Sequence, residues 1–207
     1  MALPHPIKPF HDFFVMKLEK LKNRLFFTAQ DAAQAAGITL PSAHVLCSRY
    51  TRAGIFLRLK KNFYVIRNAW ERFDRTDMLK IANYLQVPSY VSFTTALSFY
   101  GITTQVQRDW IECAATKRST TIQAGGVTFR YHKLQKALFF GFSRKDDLFI
   151  AAPEKAVLDA AYLEVLGSGA VDWHAVDLGK VDQGRLRELL NAYPNKIKRK
   201  MAETCGI

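Results

Sequence analysis

The 207-residue sequence predicts an α+β protein built from two domains, residues 1–70 and 71–207. In the first domain, short amphipathic helices precede a single pair of strands. In the second, runs of β-forming residues fill much of the segment 109–151, and a strong amphipathic helix follows over 152–167. Helices and strands that are grouped along the chain in this way are typical of α+β folds. The boundary between the domains is expected near residues 68–75.

Residues 11–24 have apolar side chains near helical spacing and are predicted to form the first helix. We expect Phe14, Leu18 and Leu21 to pack against the two helices that follow.

Residues 27–37 predict the second helix. Thr28 is a favourable N-cap residue, and Asp31 occupies the third helical position, as in a capping box. Gly37 supplies the left-handed residue at which helices commonly end.

The third helix is predicted over residues 41–54, with Ser42 or the residue before it at its start and Gly54 at its end. Three side chains at positions i, i+4 and i+7 are expected to form its buried stripe. They are Leu46, Tyr50 and Ala53.

The segment LRLKKNFYVI, residues 57–66, predicts a strand, a tight turn and a second strand. Lys60 and Lys61 lie at the tip, and Arg58 lies just before them. Asn62 stands where many such turns have glycine, and asparagine tolerates the left-handed conformation well. Four apolar residues are expected to hold the hairpin in place: Phe56, Leu57, Tyr64 and Ile66.

The formal charge of +12 is concentrated at the N-terminus. Residues 1–70 contain 11 Lys and Arg against 3 Asp and Glu, whereas residues 71–207 contain 19 against 15. A local excess of basic residues is typical of nucleic-acid-binding domains, although basic proteins without nucleic-acid partners also exist.

Two capped helices followed by a basic hairpin are the components of a winged helix-turn-helix. The third helix would enter the major groove of DNA, and the hairpin would contact the adjacent backbone or minor groove. Ser42, His44 and Ser48 are expected to reach base edges or phosphates, and Arg49 and Arg52 to carry charge to guanine or phosphate. The other expected DNA-binding residues are Thr28 and Gln30 at the start of the second helix and Arg58, Lys60, Lys61 and Asn62 in the wing. The alternative interpretation is a solvated basic helix and turn.

In the second domain, helices are predicted over residues 75–86 and 90–101, the latter entered from a short extended piece. Gly125 and Gly126 predict a hairpin turn between strands. Helices over 184–194 and 194–206 close the chain. The cations of the last helix, Lys196, Lys198, Arg199 and Lys200, fit a solvated helix end and a second phosphate-binding patch about equally well.

The segments FTAQDAAQAAGI and RYTRAGIFLRLKKNFYVI resemble the N-terminal module of AbiEi-type antitoxins, the repressor partners in type IV toxin–antitoxin (abortive infection) systems. YVSFTTALSFYGIT and FIAAPEKAVLDAAYL resemble the antitoxin domain of that family. The resemblance covers roughly residues 15–165. It implies an autorepressor that binds inverted repeats upstream of its own operon, and such palindromic sites would require two copies of the protein, as a dimer or as cooperatively bound monomers. It also implies a mixed α/β C-terminal domain that counters a nucleotidyltransferase-like toxin, without a tight complex between the two being the rule.

Enzymatic and membrane functions are not indicated. The sequence lacks the usual hydrolase, zinc-protease and nucleotide-binding motifs, so no catalytic residue, metal or cofactor is expected. Lys155 and Asp159 fit an i,i+4 ion pair. Cys47, Cys113 and Cys205 form no paired motif, and no signal peptide or membrane-spanning run of roughly 18 apolar residues is recognised. A cytoplasmic location is expected. Two other hypotheses stay open: a general DNA- or RNA-binding regulator without a toxin partner, and an enzyme with an unrecognised site.

Overall fold

The computed structural model describes residues 19–105 and 107–206, apart from the side chains of Glu19 and Cys205. The fold is α+β, as predicted from the sequence. The chain divides into two compact units, the first ending at Asp77 and the second beginning at Met78.

The predicted first helix lies largely outside the described residues, and so do Phe14 and Leu18. Its described end is a 3-10 turn, Glu19–Leu21, and residues 22–24 are not helical. Leu21 is buried in the core of the first unit, as expected.

Helix α1 (Ala29–Ala36) confirms the predicted second helix. Thr28 is its N-cap, the reciprocal capping box with Asp31 is present, and Gly37 adopts the left-handed conformation at its end. Its alanine side chains, buried in the core, leave room for the next helix to approach closely.

Helix α2 (Leu40–Arg52) begins earlier than predicted, because Thr39 and not Ser42 is its N-cap. The Thr39 side chain accepts a hydrogen bond from the Ser42 amide, and this places Ser42 at the third helical position. The expected buried stripe was confirmed at Tyr50 and wrong at Ala53. Ala53 is exposed and Leu46 is only partly buried, whereas the fully buried positions are Ala43, Cys47 and Tyr50. The i, i+4, i+7 spacing is kept, but its phase is shifted by one turn.

A hairpin completes the first unit. Strands β1 (Phe56–Lys60) and β2 (Phe63–Ile66) are antiparallel, with an irregular register between Arg58 and Lys60. Phe27 adds an antiparallel bridge to Tyr64 through two backbone hydrogen bonds of 2.8 Å. A short helix, α3 (Arg67–Trp70), follows.

The second unit contains a six-stranded sheet. Its strands are β3 (Ser89–Val91), β4 (Trp110–Ala115), β5 (Thr120–Ala124), β6 (Val127–Lys133), β7 (Phe142–Lys145) and β8 (Leu148–Ala151). They lie in the order β5-β6-β4-β3-β8-β7. The pairs β4–β6 and β3–β8 are parallel, and the remaining pairs are antiparallel. The sheet confirms the predicted strand-rich segment 109–151, with Gly125 and Gly126 in the turn between β5 and β6.

Five further helices are α4 (Arg75–Leu85), α5 (Phe93–Phe99), α6 (Pro153–Val165), α7 (Gln183–Leu190) and α8 (Asn195–Cys205). Each corresponds to a predicted helix within a few residues. The predicted segment 90–101 divides into strand β3 and helix α5, in agreement with its expected extended entry. Within the described ranges, no helix has both the length and the apolar character to cross a membrane.

Helix α6 carries a buried charged pair at the centre of the second unit. Lys155 and Asp159 are fully buried and form the predicted i,i+4 ion pair. Asp159 also accepts hydrogen bonds from the hydroxyl groups of Tyr90 (3.0 Å), Ser92 (2.7 Å) and Tyr193 (2.8 Å). Burial lowers the pKa of Lys155, and the attraction of Asp159 opposes that effect. The pair thus joins α6 to β3 and to the segment before α8.

Candidate nucleic-acid interface

Helix α2 presents a polar and cationic face. All five side chains predicted to contact DNA from this helix are exposed: Ser42, His44, Ser48, Arg49 and Arg52. Val45 is also prominent on the surface, with 59% of its area exposed. An arginine fork and small hydroxyl groups along one exposed helix face are the groups that read base edges and phosphates.

Side-chain hydrogen bonds hold two residues of this face, Arg52 and Ser42. Arg52 Nη2 donates a hydrogen bond of 3.3 Å to Ser48 Oγ, one turn earlier. The Ser42 and Thr39 hydroxyl groups lie 2.9 Å apart at the helix start. These contacts restrict Arg52 and Ser42 to fewer rotamers, which lowers the entropy lost when a ligand binds.

The tip of the hairpin is cationic and rigidly mounted. Lys61 and Arg58 are exposed, and Arg58 Nε donates a 3.4 Å hydrogen bond to the carbonyl of Lys60. The Lys60 ammonium lies 4.0 Å from the centre of the Phe63 ring, in a cation–π contact. Phe63 in turn stacks on Phe26, with ring centres 4.8 Å apart. An aromatic platform therefore supports the tip.

Asn62 has two roles in the turn. Its backbone adopts the left-handed conformation (φ 61°), as the sequence predicts. Its side-chain Oδ1 accepts a 3.0 Å hydrogen bond from the amide of Ala29, the first residue of α1. This long-range contact was not predicted, because no local pattern connects residues 29 and 62.

The N-terminus of α1 is already occupied by protein groups. The amide of Asp31 donates to Thr28 Oγ1, and the Thr28 amide and hydroxyl both donate to Asp31 Oδ2. Arg24 pairs with the other Asp31 oxygen at 2.6 Å. Partial burial would raise the pKa of Asp31, but hydrogen bonds from Thr28 and Arg24 outweigh it and hold that pKa below its usual value. A carboxylate at this position makes the helix end a poor phosphate site. Gln30, also predicted here, is exposed.

The charge around these elements has one sign. No Asp or Glu occurs from residue 32 to residue 70, whereas six Lys and Arg do. They are Arg49, Arg52, Arg58, Lys60, Lys61 and Arg67. Arg67 has a structural contact, since its Nε donates a 2.8 Å hydrogen bond to the carbonyl of Gly54. The segment itself therefore carries an unbalanced positive charge, flanked in sequence by Asp31 and Glu71.

The buried Cys47 on α2 is unsuited to chemistry. Burial raises the pKa of its thiol to about 11, so the reactive thiolate is disfavoured near neutral pH. Among the described residues, no group of three or more His, Cys, Asp or Glu side chains is arranged to hold a metal ion.

The basic last helix, α8, is partly committed to internal contacts. Lys200 Nζ lies 3.1 Å from Glu164 Oε2 on α6, whereas Lys196 and Arg199 are exposed. One of the four cations therefore has a structural role, and the other three keep both interpretations open.

Comparison with known proteins identifies a similar fold. No family model matches the chain, and no curated protein matches it. A solved structure, that of the RV2827C protein from Mycobacterium tuberculosis, superimposes with a TM-score of 0.63 at 13% sequence identity. The match covers 97% of this chain and 78% of that chain. At this identity the likeness concerns the fold alone.

The Asn62 contact generates a stability prediction. Asn62→Gly keeps a residue that tolerates a positive φ but removes the hydrogen bond to Ala29, so we expect a loss of about 0.5–1.5 kcal/mol. Asn62→Ala removes the bond and also strains the turn, so its loss should be larger, about 1–3 kcal/mol. Native-state hydrogen exchange of the Phe27 and Tyr64 amides measures both losses, with Lys61→Ala as the neighbouring control. Equal protection in all three variants and the parent would contradict the assignment.

Proposed function

We propose that the first unit is a winged helix-turn-helix that binds double-stranded DNA, and that the protein is a transcriptional repressor. One observation carries this proposal. The exposed face of α2 and the tip of the following hairpin bear five of the six cations in a segment that has no acidic residue. Such a concentration is the electrostatic feature that DNA-binding units use to attract phosphates.

The proposed mechanism gives α2 and the hairpin different tasks. Helix α2 inserts into the major groove, where Arg49, Arg52 and His44 meet base edges or phosphates. Lys60, Lys61 and Arg58 contact the adjacent backbone or minor groove. Backbone contacts supply affinity and register, and specificity comes mainly from the helix.

Thr28 and Asn62 are assigned a different part from the one predicted from the sequence. Their side-chain polar groups already bond within the unit, Thr28 to Asp31 and Asn62 to Ala29. In the proposed complex they are positioning residues that make no direct DNA contact: Asn62 holds the hairpin beside α1, and Thr28 caps α1.

The antitoxin role rests on the resemblance to AbiEi-type antitoxins. We propose that the protein represses its own operon at inverted repeats, two copies binding as a dimer or cooperatively, and that the second unit counters a nucleotidyltransferase-like toxin. Of the segments that carry this resemblance, 90–103 contains most of β3 and all of α5, and 149–163 contains most of β8 and α6. They also hold Tyr90, Ser92, Lys155 and Asp159, which build the buried polar centre of the second unit.

The DNA-binding proposal makes a paired prediction. Lys60→Ala/Lys61→Ala should weaken binding to every sequence and lower the slope of log K against log salt by up to about two. Arg49→Ala or Arg52→Ala should cost about 1–3 kcal/mol on the operator, and less on scrambled DNA, wherever the arginine reads a base. Fluorescence anisotropy over a salt series measures both effects.

A matched control is Lys133→Ala/Lys136→Ala, which removes the same charge from exposed positions in the second unit. It should leave the salt slope close to that of the parent. Operator and scrambled DNA bound with unchanged affinity by the Lys60/Lys61 variant would show that the hairpin is not a wing.

The antitoxin proposal is tested in cells with the full-length chain. Co-expression with the nucleotidyltransferase-like product of a neighbouring gene should restore growth. A variant with Arg49→Ala and Arg52→Ala should still restore it when its expression is driven by an unrelated promoter, because the proposed antitoxin surface lies in the second unit. If the folded, abundant protein binds its operator but fails to restore growth, the antitoxin proposal is wrong and the protein is a regulator without a toxin partner.

A further inference from the structure

A small polar cavity lies within the second unit. Its volume is about 80 Å³, and residues of β4, β6, α5 and α6 line it. The residues used below are Phe93, Gln107, Trp110, Glu112 and Arg130, and we call this cavity the Glu112 pocket. Gln107 and Trp110 also border a shallow, open depression beside it. At roughly 30 Å³ for each water molecule, the pocket accommodates the head group of a small polar ligand.

Glu112 and Arg130 face the pocket as neighbours. They are paired residues on the parallel strands β4 and β6, so their side chains leave the same face of the sheet. No ion pair joins them in the described part of the chain. Arg130 instead stacks on Trp110, with its guanidinium carbon 4.2 Å from the ring centre. The two opposite charges are therefore adjacent but not paired with each other, so each can bind a ligand group.

The Glu112 side chain is mostly buried and accepts no hydrogen bond from the described residues. It is 10% exposed, and the nearest ionisable group to its Oε1 is His132 Nε2 at 3.4 Å. That nitrogen is itself buried and makes no hydrogen bond to any described residue. Burying ionisable groups without good hydrogen bonds is costly, so native proteins rarely retain them without a functional reason.

The backbone around Glu112 is held firmly. The Glu112 amide donates a 2.9 Å hydrogen bond to Thr95 Oγ1, and its carbonyl accepts one of 3.1 Å from the Ser92 amide. Thr95 Oγ1 also donates to Gln107 Oε1 at 3.1 Å. Phe93 is buried and adopts a left-handed conformation with φ 56°, which is strained for a bulky side chain. Strain of this kind concentrates at functional sites.

We propose that the Glu112 pocket binds a small zwitterion of the amino-acid class, with its ammonium group on Glu112 and its carboxylate on Arg130. A purely cationic ligand would satisfy Glu112 but would place its charge beside Arg130. A purely anionic ligand would meet the Glu112 carboxylate. A ligand with both charges satisfies both residues, and the planar fork of arginine matches a carboxylate. This binding site is independent of the DNA-binding proposal.

Thermal unfolding of the full-length protein tests the ligand class. The probes are glycine, L-alanine, β-alanine and γ-aminobutyrate, which differ in the separation of their charges, with ethylamine and acetate as single-charge controls, all at about 10 mM. At least one zwitterion should raise the melting temperature by about 2–4 °C, and neither control should. The absence of a shift with every zwitterion, or an equal shift with a single-charge control, would overturn the proposal.

Isothermal titration calorimetry with the best zwitterion then tests the site. Glu112→Gln and Arg130→Gln should each weaken binding by about tenfold or more, because each removes a charge-assisted hydrogen bond. Lys133→Gln is the matched control, since it removes a cation from β6 at an exposed position next to His132. Arg130 is only partly buried, so its variant remains informative if Glu112→Gln fails to fold. Parent-like affinity in the folded variants would place the ligand elsewhere.

Discussion

The first unit depends on the antiparallel pairing of Phe27 with Tyr64, reinforced by the hydrogen bond between Asn62 and the Ala29 amide. Through these contacts, the segment that enters α1 lies beside β2 and pairs with the hairpin at Tyr64. The distance between the helices and the cationic tip is therefore set by backbone geometry, and the exposed cations are not needed for it. Arg58 and Lys61 are exposed, so replacing them should leave the unit folded, and in the proposed complex it would change the affinity for DNA.

Local features of the fold could be predicted from the sequence, and features that depend on distant contacts could not. Helix α1 was predicted because its capping residues and its terminal glycine are adjacent to it. The predicted start of α2 was late because Thr39, its N-cap, lies before the predicted range 41–54, and the core contains Ala43 and Cys47 where Leu46 and Ala53 were expected. The exposure of the α2 cations was predicted, whereas the side-chain hydrogen bond of Asn62 was not, because it joins positions far apart in sequence.

The second unit shows the same limit more strongly. The sequence predicts an ion pair between Lys155 and Asp159, but not its complete burial, because Tyr90 and Ser92 come from one distant segment and Tyr193 from another. Removing one member of such a pair is usually more damaging than removing both, since the remaining charge has no partner. The Glu112 pocket has the opposite character, with neighbouring charges that remain apart. The Lys155–Asp159 pair thus organises the core of the second unit, whereas the charges of the Glu112 pocket are available to the proposed ligand.

The central claim is that α2 and the hairpin are the surfaces that meet DNA, and an NMR titration tests it most directly. The ¹⁵N-labelled full-length chain would be titrated at low salt with a duplex that contains the inverted repeats upstream of its own gene. The account predicts that the largest chemical-shift changes fall on the amides of residues 42–52 and 58–62. Binding that leaves both segments unchanged, or no binding to any duplex at low salt, would contradict it.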